Sequence, residues 1–289
     1  MQHKRLRLRC LVIAGFVVLL LGGCSGKPLR NVEIDPPTRG LLHYLQQDQM
    51  TNVSDRGYKV IVAEEEEKSA QSGREIGLEL QVLDPSGVPV ERFTEDMTKL
   101  MHLIVVSADL STFSHVHPVH EGQGKFKVKL SFPHGGRFLL ISEFMPDDVG
   151  LTVYKKWITV GGEEPASEKL TVSESMQTVV AGVEVTLTAM PDVQEIKAGE
   201  MAMLNFTLKD AATGKPIKLE PFLGTAGHCV ILDESATQYL HVHAVSGMSS
   251  GSSSSVMFHT QFPKAGLYKL WGQFQYQGKV LVVPFVIKV

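Results

Sequence analysis

The 289 residues are 43% hydrophobic and 20% charged, with a formal net charge of −3. This length suits two domains, and the balance excludes a strongly basic chain, so nucleic acid is not an expected partner. Three cysteines in such a length exclude a disulfide scaffold.

The first residues carry Lys4, Arg5, Arg7 and Arg9, followed by an apolar run over residues 11–21. These are the charged and apolar regions of a secretion signal, and eleven residues are too few to span a bilayer. The run ends in Leu21-Gly22-Gly23-Cys24-Ser25, which resembles a bacterial lipobox. The reading predicts a signal peptide over residues 1–23 and a lipid such as palmitate on Cys24. The mature chain would then be a lipoprotein on the extracytoplasmic face of the cell membrane, with the membrane itself as a partner. Cys10 leaves with the signal and Cys24 is modified, so Cys229 stands alone as a small buried hydrophobe. Residues 24–52 are polar, include Pro36-Pro37 and read as a tether.

Strand-like segments follow at residues 58–63, 76–83, 101–106, 125–132, 137–144 and 152–160. They are short, rich in Val, Leu and Phe, and bounded by Gly, Pro, Asp or Ser. The acidic run at residues 64–67 reads as a solvated loop. Gly161-Gly162-Glu163-Glu164-Pro165 breaks the pattern, and then the pattern starts again. The expected organisation is all-β: two tandem immunoglobulin-like antiparallel β-sandwich domains at residues 53–161 and 170–289, joined by a linker at 162–169. Leu103, Val105, Phe132 and Phe138, with Val230, Leu232, Phe262 and Tyr268, are expected in the cores.

The repeat is sharpest where M-H-L-I-V-V-S-A-D-L-S-T-F-S-H-V-H-P, residues 101–118, returns 126 positions later as G-H-C-V-I-L-D-E-S-A-T-Q-Y-L-H-V-H-A. His102, His115 and His117 match His228, His241 and His243 without a gap. If residues 108–111 form a four-residue turn, His102 lies opposite His117 and Ile104 opposite His115. Period-two alternation then gathers three imidazoles on one face. The second copy repeats this around a turn at residues 234–237.

Three imidazoles at this spacing suit copper, with zinc as the alternative, better than calcium or magnesium. Met101, Met248 and Met257 lie near enough in sequence to suit Cu(I). Glu143 and Gln273 occupy equivalent strand positions and read equally as satisfied polar residues or as parts of a site, whereas His120, His134 and His259 are not repeated. The repeated set lacks a nucleophile beside a histidine and a carboxylate pair, so a binding role is expected over an enzymatic one. The competing reading is an interaction or assembly module of the cell envelope, in which the histidines only brace strands and the partner is another envelope protein.

The stretch H-L-I-V-V-S-A-D-L-S-T-F-S-H-V-H-P, with the Phe-Pro-x-Gly-Gly turn at residues 132–136, resembles the YtkA-like domains of secreted and lipid-anchored bacterial proteins, which are related to FixH-like domains. The likeness is looser in the second copy, where Ala244 replaces the proline after H-V-H and Ser235 replaces Asp109. It implies an immunoglobulin-like sandwich, an extracytoplasmic location and a role in copper or heavy-metal handling.

Overall fold

The computed structural model describes residues 55–64, 70–167, 169–245 and 254–289. The signal peptide, Cys24, the tether, most of the acidic run and Met248 lie outside the described residues.

Alternating apolar residues build the first sandwich from β1 (Lys59–Glu64), β2 (Glu75–Leu83), β3 (Met101–Ser107), β4 (Phe113–Val116), β5 (Val119–Gly122), β6 (Lys125–Ser131), β7 (Gly136–Phe144) and β8 (Thr152–Val160). The second contains β9 (Gln177–Val180), β10 (Val183–Met190), β11 (Met201–Asp210), β12 (His228–Asp233), β13 (Tyr239–His243), β14 (Ser255–Gln261), β15 (Leu267–Tyr276) and β16 (Lys279–Lys288). Sheet β1-β2-β6-β5 faces β4-β3-β7-β8 across a core that includes Leu80, Leu103, Phe126 and Phe138. Sheet β14-β11-β10-β9 faces β13-β12-β15-β16 across Phe206, Ile231, Phe258 and Phe274. Every strand pair is antiparallel, giving two immunoglobulin-like sandwiches of one repeated design.

Each of the sheets that carry β3 and β12 has a second apolar face, and these two faces pack on each other. All seven residues of β3 are buried, because Met101, Leu103 and Val105 enter the first core while Ile104 and Val106 enter a third cluster. That cluster also contains Leu139, Ile141, Val230, Leu232, Tyr239 and Trp271, so it joins the two domains. Phe113 stacks on Trp271 with ring centres 4.8 Å apart. Lys269 donates to the carbonyl of Leu110 at 2.7 Å, and Lys155 donates to those of Ala236 and Thr237 at 3.1 and 2.8 Å. Each domain thus ties down the hairpin turn of the other. Val230 and Leu232 are buried as expected, but against the other domain: they are the counterparts of Ile104 and Val106, not of Leu103 and Val105.

Candidate metal centre

Two type of turn prepare each site. The first is the hairpin turn before β4, where Asp109 Oδ1 accepts from the Ser107 hydroxyl and the Ser111 amide at 2.6 and 3.0 Å. Leu110 sits there at φ 60°, as does Ala236 at φ 54° in the second copy, where Asp233 plays the same part. These turns fix the registers Ile104↔His115 in the first copy and His228↔His243 with Val230↔His241 in the second. The second copy shows both expected pairs, and the first shows Ile104 opposite His115, with β4 ending at Val116 just before His117.

The second turn precedes the first histidine. Asp96 and Lys99 exchange backbone hydrogen bonds around Met97 and Thr98, both at positive φ (42° and 67°); Phe222 and Thr225 do the same around Leu223 and Gly224. A positive φ is costly for a β-branched residue such as Thr98, which marks this turn as strained. Its product is a fixed carbonyl. His102 Nε2 donates to Asp96 O at 3.0 Å, and His228 Nε2 donates to Phe222 O at 3.2 Å. A carbonyl only accepts, so Nδ1 of a neutral imidazole in either position is a lone pair directed at its triad.

In the first triad His102 Nδ1 stands 3.0 Å from His115 Nε2, and in the second His228 Nδ1 stands 3.2 Å from His241 Nε2. One nitrogen from each of three histidines gathers within 4.8 Å in both sets. Gln273 Oε1 accepts from His115 Nδ1, so a neutral His115 turns a second lone pair, on Nε2, toward His102 Nδ1. Nε2 of His117 and Nε2 of His243 are buried without a hydrogen-bond partner, as are those of His120 and His134 outside the triads. A metal ion would engage all three nitrogens of a triad.

Ring spacing gives a second test. A metal–nitrogen bond of about 2.0–2.1 Å places an imidazole centre about 3.1 Å from the ion, and three legs of a tetrahedron then set ring centres about 5.1 Å apart. The observed separations are 5.2, 5.0 and 4.7 Å in the first triad. In the second they are 5.3, 4.9 and 4.8 Å. The separations within each triad agree with three imidazoles on one ion.

The outer nitrogens cross between domains. His115 Nδ1 meets Gln273 Oε1 at 3.0 Å, and His241 Nδ1 meets Glu143 Oε1 at 2.8 Å. Tyr239 donates to the other Glu143 oxygen at 3.1 Å. The two triads lie side by side: the ring of His241 is 5.3 Å from that of His115 and 5.4 Å from that of His102.

Burial sets the protonation. It pushes His115, His228 and His241 well below the usual histidine range, helped by neighbouring imidazoles, and lowers His117 to about 3 and His243 to about 4. These rings are neutral at pH 7, as metal ligands must be. Burial raises Glu143 to about 7, against the opposing pull of His102 and the Tyr239 hydroxyl.

All six predicted histidines enter the two triads, and Glu143 and Gln273 turn out to hydrogen-bond the central histidine of the opposite domain's triad. Met101 does not join them, because its side chain fills the first core. Met257 alternates with the core residues Val256 and Phe258 and so faces the other side of β14. Cys229 faces the second core, where burial raises its thiol pKa and keeps it protonated. His120 packs against Phe93 and Phe126, and His134 bonds the Gly135 carbonyl. Sequence reasoning missed the carbonyls of Asp96 and Phe222; the only trace of them is that both copies place their turn six residues before the first histidine.

Similar architecture occurs in solved structures at low identity. A two-domain fibronectin type III segment from chicken tenascin is 11% identical, covering 80% of this chain and 98% of that one, with a TM-score of 0.23. Invasin, a bacterial integrin-binding protein, is 13% identical, covering 79% and 39%, also with a TM-score of 0.23. MtrC from Shewanella baltica OS185 is 7% identical over 79% and 68%, again at 0.23. No curated protein matches this sequence. Residues 51–161 and 177–289 each match one family, and the chain accordingly belongs to the family described as a domain of unknown function (DUF8832), of which it carries two copies.

Proposed function

We propose that this protein is a lipid-anchored, extracytoplasmic metal-binding protein, not an enzyme, that holds copper, or alternatively zinc, on His102, His115 and His117 and a second ion on His228, His241 and His243. The observation that carries this reading is the third, unpartnered nitrogen of each triad. His120 and His134 also carry a buried, unpartnered Nε2, but only in the triads does such a histidine stand with two further imidazoles whose nitrogens gather within 4.8 Å; leaving such a nitrogen unpaired costs about 1–3 kcal/mol. All-imidazole ligation favours copper or zinc over oxygen-seeking ions. The lipobox-like Cys24 and the resemblance of residues 101–118 to YtkA-like domains support the location.

The test uses the full chain in mild detergent, stripped of metal and titrated with copper or zinc. Two ions should bind per chain, and each site should stabilise the fold by about 2.7 kcal/mol when the free ion is a hundredfold above that site's Kd. The variant carrying His115→Ala and His117→Ala should retain one ion. If neither metal shifts the melting temperature, or the variant shifts as much as the wild type, the envelope interaction module becomes the better reading. Cys24→Ala tests the anchor separately: the protein should leave the membrane fraction or remain an unprocessed precursor, and membrane-bound protein of unchanged mature mass would refute lipidation.

A further inference from the structure

The two triads are alike in their ligands and unlike in what surrounds them. Glu143 and Gln273 hold equivalent places: Glu143 pairs with His102 across β7 and β3, and Gln273 pairs with His228 across β15 and β12. Each reaches the other domain's central histidine. One is an acid and the other an amide, and nothing about the repeat requires that difference.

The companions of this pair differ in the same direction. Tyr239 supplies a hydroxyl to Glu143, whereas its counterpart Phe113 has none, and Gln273 Nε2 is left buried without a partner. Asp96 and its counterpart Phe222 both lend a carbonyl to the first histidine of their own triad. Of the two, only Asp96 carries an acidic side chain. The turns that carry them meet, since a Cβ on Gly224 would lie 3.3 Å from the Thr98 methyl.

A carboxylate on the outer nitrogen of a ligand histidine strengthens the inner nitrogen as a donor and balances the charge of a dication; an amide orients the ring without adding charge. We infer that the two centres are unequal: the His228, His241 and His243 site binds a divalent ion more tightly, completed by acidic groups of the first domain, while the His102, His115 and His117 site binds a dication weakly and suits a monovalent, Cu(I)-like ion. The inference rests on the metal-binding reading above. It makes the first domain part of the second domain's site, and gives the protein one firmly held ion and one exchangeable ion.

Zinc(II) titrated into the full chain by competition with a chromophoric chelator is the probe. Two binding steps at least tenfold apart are expected, with the tight one lost in His243→Ala and the weak one lost in His117→Ala. Glu143→Gln should weaken the tight step by about 10- to 100-fold and the other, whose His102 lies opposite Glu143 on β3, by a clearly smaller factor. Gln273→Glu should tighten the weak step and narrow the gap, which tests the idea even if Glu143→Gln folds poorly. Cu(I), supplied anaerobically, should narrow the gap in the wild type. Two equal zinc steps, or a Glu143→Gln variant that weakens both alike, would overturn the inequality while leaving metal binding intact. Absence of any zinc or copper binding would instead remove the reading on which it rests.

Discussion

At the scale of single residues, the proton and the metal compete for the same nitrogens, and this gives the metal-free protein a pH dependence of known sign. His117 and His243 have folded pKa values of about 3 and 4, below the value of about 6.5 expected when the chain unfolds. Between those limits the unfolded chain binds the extra proton, so stability is fully present above pH 6.5 and falls on acidification, by at most about 1.4 kcal/mol per pH unit for each histidine. His115, His228 and His241 shift in the same direction and add to the loss. Glu143 opposes it: raised to about 7 from 4.5, it takes a proton in the folded state as pH falls through that window. Burial raises Asp96 as well, with the same sign, and two carboxyls do not offset five imidazoles. The melting temperature of metal-free protein should drop steadily between pH 7 and pH 5, and a flat or rising curve would contradict the lowering of these five histidines by burial. Bound metal should reduce the drop until protons displace it.

At the scale of the strands, close packing against the ligand-bearing strand can be tested by adding one methyl group. Gly272 lies beside Cys229 in the β12–β15 pair, and a Cβ there would meet the rings of Phe206 and Phe274 at 2.8 and 2.9 Å. Gly272→Ala should cost about 1–3 kcal/mol by overpacking, read as a lower urea midpoint at unchanged slope; an unchanged midpoint would mean that the rings yield freely. The same strands show how far the sequence could be read. Matched hairpins were legible because the thirteen-residue step from His102 to His115 recurs from His228 to His241, and a register slip would have moved one histidine to the opposite face. The second burial face was harder to see. His102, Ile104 and Val106 alternate with Met101, Leu103 and Val105 in an almost unbroken apolar run, and such a run signals a strand covered on both sides without naming what covers it. Glu143 and Gln273 were visible as equivalent positions, but their roles depend on the opposite domain, which no spacing within one copy reveals.

At the scale of the whole molecule, the two copies dock through one repeated face, and this makes the separated domain informative. A first domain made alone would expose Ile104, Val106, Leu139 and Ile141, side chains that are all but fully buried in the complete protein. A contiguous apolar face of that kind seeks a partner, and a surface that already packs against its own repeat can pack against a second copy of itself in a closed, twofold manner. Residues 53–167 should therefore form a homodimer. In it Glu143 of each copy would take the place that Gln273 holds opposite His115, so both triads would have a carboxylate outer partner. The inequality of the natural chain should vanish: zinc should bind the dimer at two sites of matching affinity, each tighter than the weak site of the complete protein. Sedimentation equilibrium and the zinc titration would decide it. A well-folded monomer would show that the face needs the specific shape of the second copy, and a dimer with two unequal sites would show that the carboxylate is not what separates them.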